Sequence, residues 1–502
     1  MKTNILFGAA ALLFALSACG DDPKGGEEPG PQPPAGNTED RYESVSYKKL
    51  PTDATWLEGE TLIVDNVGNY TPVARRSQTE WGGRPGSYTF TQVTGTEGFF
   101  RVGKIGQRWY LIAPDNSPVI LRGTQDVRPG TTDAYKARFA TDVAWAAEAG
   151  QFLVDNNLNA TLQGGLRPAV MPAEYKDLIL NPVEGRKIAY AEIVYMLRSY
   201  LWDYNYSKNF SFKFDDAVHN RLYVMFEETY LDYLDQWAAK VCAMYKDDVH
   251  FIGYMLDNEL NYKKMMSNTN GSQGLDIRMA LDMPEGSGIR KFAEKFVADR
   301  GYTPQDVITQ AVYDEFREVM ADYYFKTTTE AIRRHDPNHL ILGNRIYASN
   351  MYDERVMKAC AKYCDVVSIN YYNAWSVDPA YIANLKSWFD KPFIVTEFYT
   401  KGADANVDGE PYSNRPGGGW IVKTQKDRGK FHQNIGIGLI AAQNCVGWYH
   451  FNYVDTYEDA KYQGYTNKGM LALNYYPYVD FMEYVKQLND NVYGLADHYD
   501  AK

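Results

Sequence analysis

The chain has 502 residues, 45% of them hydrophobic and 23% charged, the balance of an ordinary globular protein with room for one large domain and a small one. Its formal net charge of −12 argues against a nucleic-acid backbone as partner, because phosphate recognition needs a basic face. Aromatic residues make up 15% of the chain, with 41 Tyr, which suits stacking on the flat apolar faces of sugar rings or reflects compositional habit.

Residues 1–19 read as a targeting segment. Lys2 gives a positive start, residues 5–16 form an apolar run too short to span a bilayer comfortably, and Leu16-Ser17-Ala18-Cys19 ends it. The Leu-Ser-Ala-Cys order resembles a bacterial lipoprotein signal. That resemblance implies cleavage before Cys19, lipidation of Cys19, and membrane attachment through this anchor at the outer membrane, facing the cell surface or the periplasm. The other reading is a simple secretory peptide cut near Ala18. Residues 20–39 are rich in Gly, Pro and acids and cannot bury a core, so they are expected to be a disordered tether.

Residues 40–115 are turn-rich with short strand-like runs: Thr61-Leu62-Ile63-Val64, Ser87-Tyr88-Thr89-Phe90, Phe99-Phe100-Arg101-Val102 and Trp109-Tyr110-Leu111-Ile112. They are expected to form a small N-terminal β-rich subdomain. From residue 116 to about 495 the pattern becomes strand, then helix, repeated. The candidate strand runs are Val119-Ile120-Leu121-Arg122-Gly123, Leu158-Asn159-Ala160-Thr161-Leu162, Ile188-Ala189-Tyr190-Ala191, Phe251-Ile252-Gly253-Tyr254-Met255-Leu256, Leu340-Ile341-Leu342-Gly343, Val366-Val367-Ser368-Ile369-Asn370, Phe393-Ile394-Val395-Thr396 and Val446-Gly447-Trp448-Tyr449. Helical faces intervene, such as Leu231, Leu234, Ala238, Val241 and Tyr245, or Phe316, Met320, Tyr323 and Tyr324 before Asp336-Pro337. Eight such strands predict an α/β fold, a (β/α)8 TIM barrel, although a doubly wound sheet would show the same alternation.

The fourth run stops abruptly at Asp257-Asn258-Glu259, and the seventh ends in Thr396-Glu397-Phe398. A buried carboxylate is costly unless it is paired or faces a cleft, and in parallel α/β folds the cleft lies at the C-terminal strand ends. Either acid alone could be a helix cap or a salt-bridged loop residue. Two matched strand-end acids favour a catalytic pair. Glycoside hydrolysis needs two carboxyls flanking the bond, about 5–5.5 Å apart in the retaining mechanism, with the acid kept protonated by its charged partner.

Asn258-Glu259 on the fourth strand with Glu397 on the seventh resembles the clan A glycoside hydrolases. The closer resemblance is to glycoside hydrolase family 50, the β-agarases, over most of residues 98–490. It is carried by Phe251-Ile252-Gly253-Tyr254-Met255-Leu256-Asp257-Asn258-Glu259-Leu260, by Thr396-Glu397-Phe398 with Gly417-Gly418-Gly419-Trp420 and Val422-Lys423-Thr424-Gln425-Lys426-Asp427-Arg428, and by Gly447-Trp448-Tyr449-His450-Phe451-Asn452-Tyr453-Val454-Asp455. The resemblance implies that Glu259 is the acid/base, Glu397 the nucleophile and Asn258 a contact to the sugar 2-hydroxyl. It implies a galactan polysaccharide or oligosaccharide as substrate, with β-agarase as the leading activity. A β-galactosidase or another clan A β-glycanase, and a non-catalytic glycan-binding lipoprotein, are the alternatives. The chain departs from the family in having little before the barrel, where many members carry a substantial β-sandwich.

Around the pair, a hydroxyl or amide at the end of the sixth strand could hold the nucleophile ionised. In the clan a Tyr or His there often does so, which points to Tyr371, with Tyr372 as rival. Trp448 and His450 are candidates for a sugar platform, and Trp420 and Trp375 sit on loops near the same end, where packing a loop down is the commoner fate. Gln125, Asp126 and Gln163 end the first two strands and could bind hydroxyls. Thr424 begins a helix, with a capping role as plausible as a binding one. The stretch from Asn261 to about Gly286 is expected to be a long loop that shapes the cleft. No phosphate loop, dinucleotide fingerprint or metal-ligand cluster is evident, so neither metal nor cofactor is expected. Cys242, Cys360, Cys364 and Cys445 are expected to be buried thiols, with a disulfide as the lesser option.

Overall fold

The structure, a computed structural model, describes residues 40–163, 172–207, 221–263, 277–458 and 464–502. Cys19, the tether 20–39 and residues 264–276 of the loop expected after the fourth strand lie outside the described residues.

Eight parallel strands form the central sheet: β1 (Leu121–Gln125), β2 (Ala160–Leu162), β3 (Ala189–Ile193), β4 (Phe251–Met255), β5 (Leu340–Ile341), β6 (Val367–Asn370), β7 (Phe393–Glu397) and β8 (Cys445–His450). Their order is β5-β4-β3-β2-β1-β8-β7-β6. The two edges of this sheet meet. Just past β5, the Ile346 amide donates to the Ser368 carbonyl (2.9 Å), and the Asn370 amide donates to the Ile346 carbonyl (3.0 Å). This arrangement is compatible with a (β/α)8 barrel, and each strand falls on one of the eight apolar runs. Val119 is an exception at the start of the first run, because Pro118–Val119 pairs with Arg108–Ile112 instead.

The strands read as unbroken apolar runs because both faces are covered. One apolar cluster joins Leu121, Ile252, Leu340, Ile394 and Val446 with Trp81, Phe100 and Trp109. The other runs between the sheet and the helices and contains Val395, Leu234, Phe316 and Leu488. Helix Tyr230–Tyr245 buries Leu234, Ala238, Val241 and Tyr245 on one face, while Leu231 is exposed. Helix Gln310–His335 starts at Thr309, whose side chain accepts from the Val312 amide, and stops before Asp336-Pro337 as the sequence predicts. The strands approach closely at Gly253, where a Cβ atom would lie 2.0 Å from the Leu340 carbonyl oxygen. G253A is therefore expected to push β4 from β5 and lower stability by about 1–3 kcal/mol, read as a lower thermal midpoint. An unchanged midpoint would show that the contact can relax.

Residues 40–115 are β-rich, but their strands go to two separate places. The meander Thr91–Thr94, Arg101–Ile105, Arg108–Ile112, Pro118–Val119 lies against the N-terminal strand ends. There the Trp109 amide donates to the Gln443 carbonyl (2.9 Å) before β8, and the Lys187 amide donates to the Glu80 carbonyl (2.7 Å) before β3. Ring contacts of 4.9 Å (Trp81 with His250) and 4.8 Å (Phe99 with His339) do the same before β4 and β5. The hairpin Glu43–Lys48 with Leu57–Thr61 instead pairs with Ile421–Val422, which in turn pairs with Lys401–Gly402 after β7. Ser87 to Phe90 form no strand, and the run begun at Thr61 leaves the sheet at once for a short 3-10 turn, Val64–Asn66. Cys242, Cys360, Cys364 and Cys445 are free and buried. Among the described residues, no helix is long and apolar enough to cross a membrane.

Candidate active site

The polar residues that end β4 divide into two jobs. Asp257 is fully buried, and its carboxylate accepts from the Leu197 amide (2.9 Å), the Arg198 amide (3.2 Å) and the Tyr324 hydroxyl (2.7 Å). It thereby satisfies amides at the start of helix Met196–Ser207, and its charge is compensated by donors and by the helix N-terminus. Glu259 turns the other way, with a left-handed φ of 53° and its amide donating to the Asn344 carbonyl (3.2 Å). A left-handed non-glycine residue costs of order 1–3 kcal/mol and persists only where the surroundings hold it.

The Glu259 carboxyl accepts from the Asn370 amide nitrogen at 2.6 Å. On its other side the Asn370 side chain meets the Thr396 hydroxyl at 2.7 Å, and that hydroxyl also lies 3.0 Å from the Ile369 carbonyl, so the Asn370 amide is held between Thr396 and Glu259. Burial, and then the negative charge of Glu397, push the Glu259 pKa up to about 7, while the Asn370 bond and the Arg345 charge pull it down. Glu397 is the last residue of β7 and carries a different set of partners. Arg345 donates to its Oε1, and the Tyr372 hydroxyl donates to its Oε2 at 2.7 Å. Burial and the Glu397 charge raise the Tyr372 pKa well above its ordinary value, so this phenol keeps the proton it donates. Arg345 also donates to Gln125 Oε1 (3.0 Å) and Gln163 Oε1 (3.4 Å), and Gln125 donates to the Thr396 carbonyl. The ends of β1, β2, β5, β6 and β7 therefore share one polar network around two acids. One acid holds its proton near neutral pH, and the other is braced by a cation and a phenol.

Several residues singled out in the sequence lie elsewhere. The Tyr371 backbone amide donates to the Glu397 carbonyl (2.8 Å), but its hydroxyl does not reach the Glu397 carboxylate: it donates to the Ser376 carbonyl (3.3 Å) and accepts from the Asp378 amide (3.0 Å), and Tyr372 takes the position beside the acid. Trp448 is only 1% exposed and belongs to the layer between sheet and helices, because the register shift of β8 against β7 moves it off the inner face. His450 is equally buried. Its Nε2 donates to the Lys468 carbonyl (2.9 Å), its ring packs on Phe481 (5.1 Å), and burial lowers its pKa so that it stays neutral. Neither residue is a sugar platform. Trp375 and Trp420 are buried as well, stacked on Tyr47 of the N-terminal hairpin at 4.6 and 4.7 Å, and Trp375 Nε1 donates to Thr61 Oγ1 (2.9 Å). They fasten the hairpin over the loops after β6 and β7. Gln125 is wholly buried and spends its amide on Arg345 and Thr396. Asn258 is half-buried, with Oδ1 unpartnered among the described residues. Thr424 is a helix cap, forming a capping box with Asp427 at the start of helix Gln425–Ala441.

Arg345 and Asn370 were not singled out by the sequence. Arg345 lies as far beyond β5 as Glu259 lies beyond β4, and Asn370 pairs in register with Glu397 across β6 and β7. Both are polar residues at or just past the end of a strand run, the position that Glu259 and Glu397 also hold. Among the described residues, no group of three or more His, Cys, Asp or Glu side chains is placed to hold a metal ion.

No family model matches the chain. It is 24% identical over 279 residues to Beta-agarase B of Vibrio sp. (strain JT0107), a match covering 50% of this chain and 28% of that protein. Over 183 residues it is 27% identical to Beta-agarase A of the same strain, covering 34% of this chain and 17% of that protein. The matches thus span less than a third of either relative's length. Among solved structures, BpGH50 superposes with a TM-score of 0.77 at 25% identity, covering 94% of this chain and all (100%) of that one. An exo-beta-agarase superposes with a TM-score of 0.62 at 17% identity, covering 85% of this chain and 68% of that one. The agarase AgWH50C gives 0.62 at 16% identity, covering 84% and 68%. The last two show likeness of fold alone, so the chain is similar in part of its sequence to β-agarases and in nearly all of its fold to BpGH50.

Proposed function

We propose that the chain is a retaining glycoside hydrolase of the β-agarase type, like family 50 of clan A, with a (β/α)8 catalytic domain over residues 116–495. It cleaves β-galactosidic linkages in agarose or agaro-oligosaccharides. One observation carries this reading: two strand-end carboxyls share a network that keeps a proton on Glu259 near neutral pH and braces Glu397 with Arg345 and Tyr372.

The Glu397 carboxylate attacks the anomeric carbon while Glu259 gives its proton to the departing glycosidic oxygen. A glycosyl ester on Glu397 results. Esterification removes the Glu397 charge, one of the two causes that hold the Glu259 pKa up. Glu259, now a carboxylate, takes a proton from water, the water attacks the same carbon, and Glu397 leaves with its charge restored. Arg345 and Tyr372 aim Glu397 throughout, and Asn370 with Thr396 aims Glu259.

Release of reducing ends from agaro-oligosaccharides, beside a simple β-galactoside, tests the reading. Cleavage of the simple galactoside alone would make the enzyme a β-galactosidase, and tight binding without release would make it a glycan-binding protein. Y372F is expected to lower kcat by about 10- to 100-fold through loss of one hydrogen bond to the charged Glu397, whereas Y371F is expected to leave kcat within a few-fold. Equal kcat losses in the two variants would contradict this division of roles. We also propose that Cys19 is lipidated and tethers the protein to the outer membrane through residues 20–39, with 40–115 as an accessory β segment. C19A is then expected to move the protein from the detergent-extracted membrane fraction to the soluble one, and an unchanged distribution would contradict the anchor.

A further inference from the structure

The ends of the first three strands hold polar residues that the chemistry above does not use. Asp126 (φ 56°), Gln163 (φ 46°) and Tyr195 (φ 52°) all have left-handed backbones without being glycine, the conformation also taken by Glu259 and Arg345. Such strain gathers where a site is held in place. The Asp126 amide donates to the carbonyls of Leu162 (3.1 Å) and Gln163 (3.0 Å), which locks the ends of β1 and β2 together. Gln163 in turn accepts from Arg345 (3.4 Å) and donates to the Tyr195 hydroxyl (3.1 Å). Asp126 therefore stands one residue from Gln125 and beside Gln163, the two amides that share Arg345 with Glu397.

The Asp126 carboxylate is under-bonded for its surroundings. Its side chain is partly buried, and among the described residues its one hydrogen bond is a long one, from Asn452 Nδ2 at 3.5 Å. The positive charges of Arg128, Arg345 and Lys468 act on it from a distance, but none forms an ion pair with it. Burial raises its pKa. Asn452 Oδ1, next to it, is buried without a partner among the described residues. A carboxylate offers about four acceptor positions, of which Asp126 uses one among the described residues, and the buried Asn452 Oδ1 beside it is of the kind that is nearly always paired. The missing partners have the chemistry of neutral hydroxyl donors, since a cation would find Arg128, Arg345 and Lys468 around it and an anion would meet Asp126 itself.

We propose that Asp126 accepts hydroxyl hydrogens from the sugar ring whose anomeric carbon Glu397 attacks, and so helps to select a neutral, hydroxyl-bearing galactose-type glycone. This role rests on the reading of Glu397 as the nucleophile. Asp126 is a substrate-binding residue here and takes no part in bond making.

D126N tests it, because Asn keeps the shape and tolerates a left-handed φ. On the fully hydroxylated galactoside, kcat/KM is expected to fall by about 10- to 100-fold, with the thermal midpoint unchanged. A series of monodeoxy galactosides locates the contact: on the analogue lacking the bonded hydroxyl, D126N and the unsubstituted protein should react equally. D126N matching the parent on every substrate, or losing the same factor on every analogue, would overturn the proposal, the second outcome marking a mere brace for Asn452. Absence of turnover by the unsubstituted protein on any galactoside would instead overturn the functional reading, and the role of Asp126 with it.

Discussion

Replacing Glu397 with Gln is expected to lower kcat on agaro-oligosaccharides by about 10⁴-fold or more, because an amide cannot form the glycosyl ester. The effect is large because nothing nearby can substitute. Asp257, the other acid that ends β4, is consumed by helix amides and Tyr324. The change should also cost stability, since Arg345 has a side-chain exposure of 2% and loses its carboxylate. Gln125 and Gln163 still accept from Arg345, so the loss should fall below the roughly 3–5 kcal/mol typical of a broken buried pair. Purified E397Q with a near-parent thermal midpoint and more than about 1% of parent kcat would contradict the assignment.

E259Q is expected to act through the leaving group. With a sugar as leaving group, kcat should fall by about 10²- to 10⁴-fold, whereas an aryl galactoside whose phenol needs no proton should still release its aglycone. Glu259 must be protonated to act as acid, and its pKa is raised to about 7, so kcat/KM of the parent should fall as pH rises through about 7. E259Q should lack that alkaline limb. Stability follows the same shift. The unfolded chain ionises Glu259 near its ordinary 4.5, while the folded protein holds the proton to about 7. Its contribution to stability is therefore present below 4.5 and lost as pH rises through the folded value, so E259Q should gain stability relative to the parent above pH 7. An alkaline limb that survives in E259Q would assign the titration to another group.

The strands were legible because a strand covered on both faces must be apolar throughout, and a polar residue just past such a run stands out. Glu259 and Glu397 carry that signal, and Arg345 and Asn370 carry it too without being acids. A side chain's direction is not legible where it depends on something far away in the chain. Tyr371 and Tyr372 are neighbours, but β6 ends at Asn370 and the backbone turns left-handed at Asn373, so strand alternation no longer tells which of them faces Glu397. Trp448 is turned to the helix side by the register shift of β8, which no periodicity reveals. Trp375 and Trp420 look like exposed loop tryptophans until Tyr47 is seen to stack on both. Residues 40–115 read as one small subdomain because composition marks them as strands, but the hairpin Glu43–Lys48 with Leu57–Thr61 finds its further partner after β7, while the meander pairs within itself and packs against the N-terminal strand ends.

Arg345 links these observations. It holds Glu397, it lowers the Glu259 pKa against burial, and it reaches the ends of β1 and β2 through Gln125 and Gln163. A planar guanidinium can serve these acceptors together, which a lysine ammonium on a flexible stem would do poorly.

Trapping the intermediate tests the central claim most directly. A 2-deoxy-2-fluoro-galactoside with a reactive leaving group, incubated with the protein, should leave one glycosyl unit on the peptide that contains Thr396-Glu397-Phe398, detected by mass spectrometry after digestion. A covalent label on Glu397 is the expected result, and substrate turnover with no adduct, or an adduct on Glu259, would contradict it.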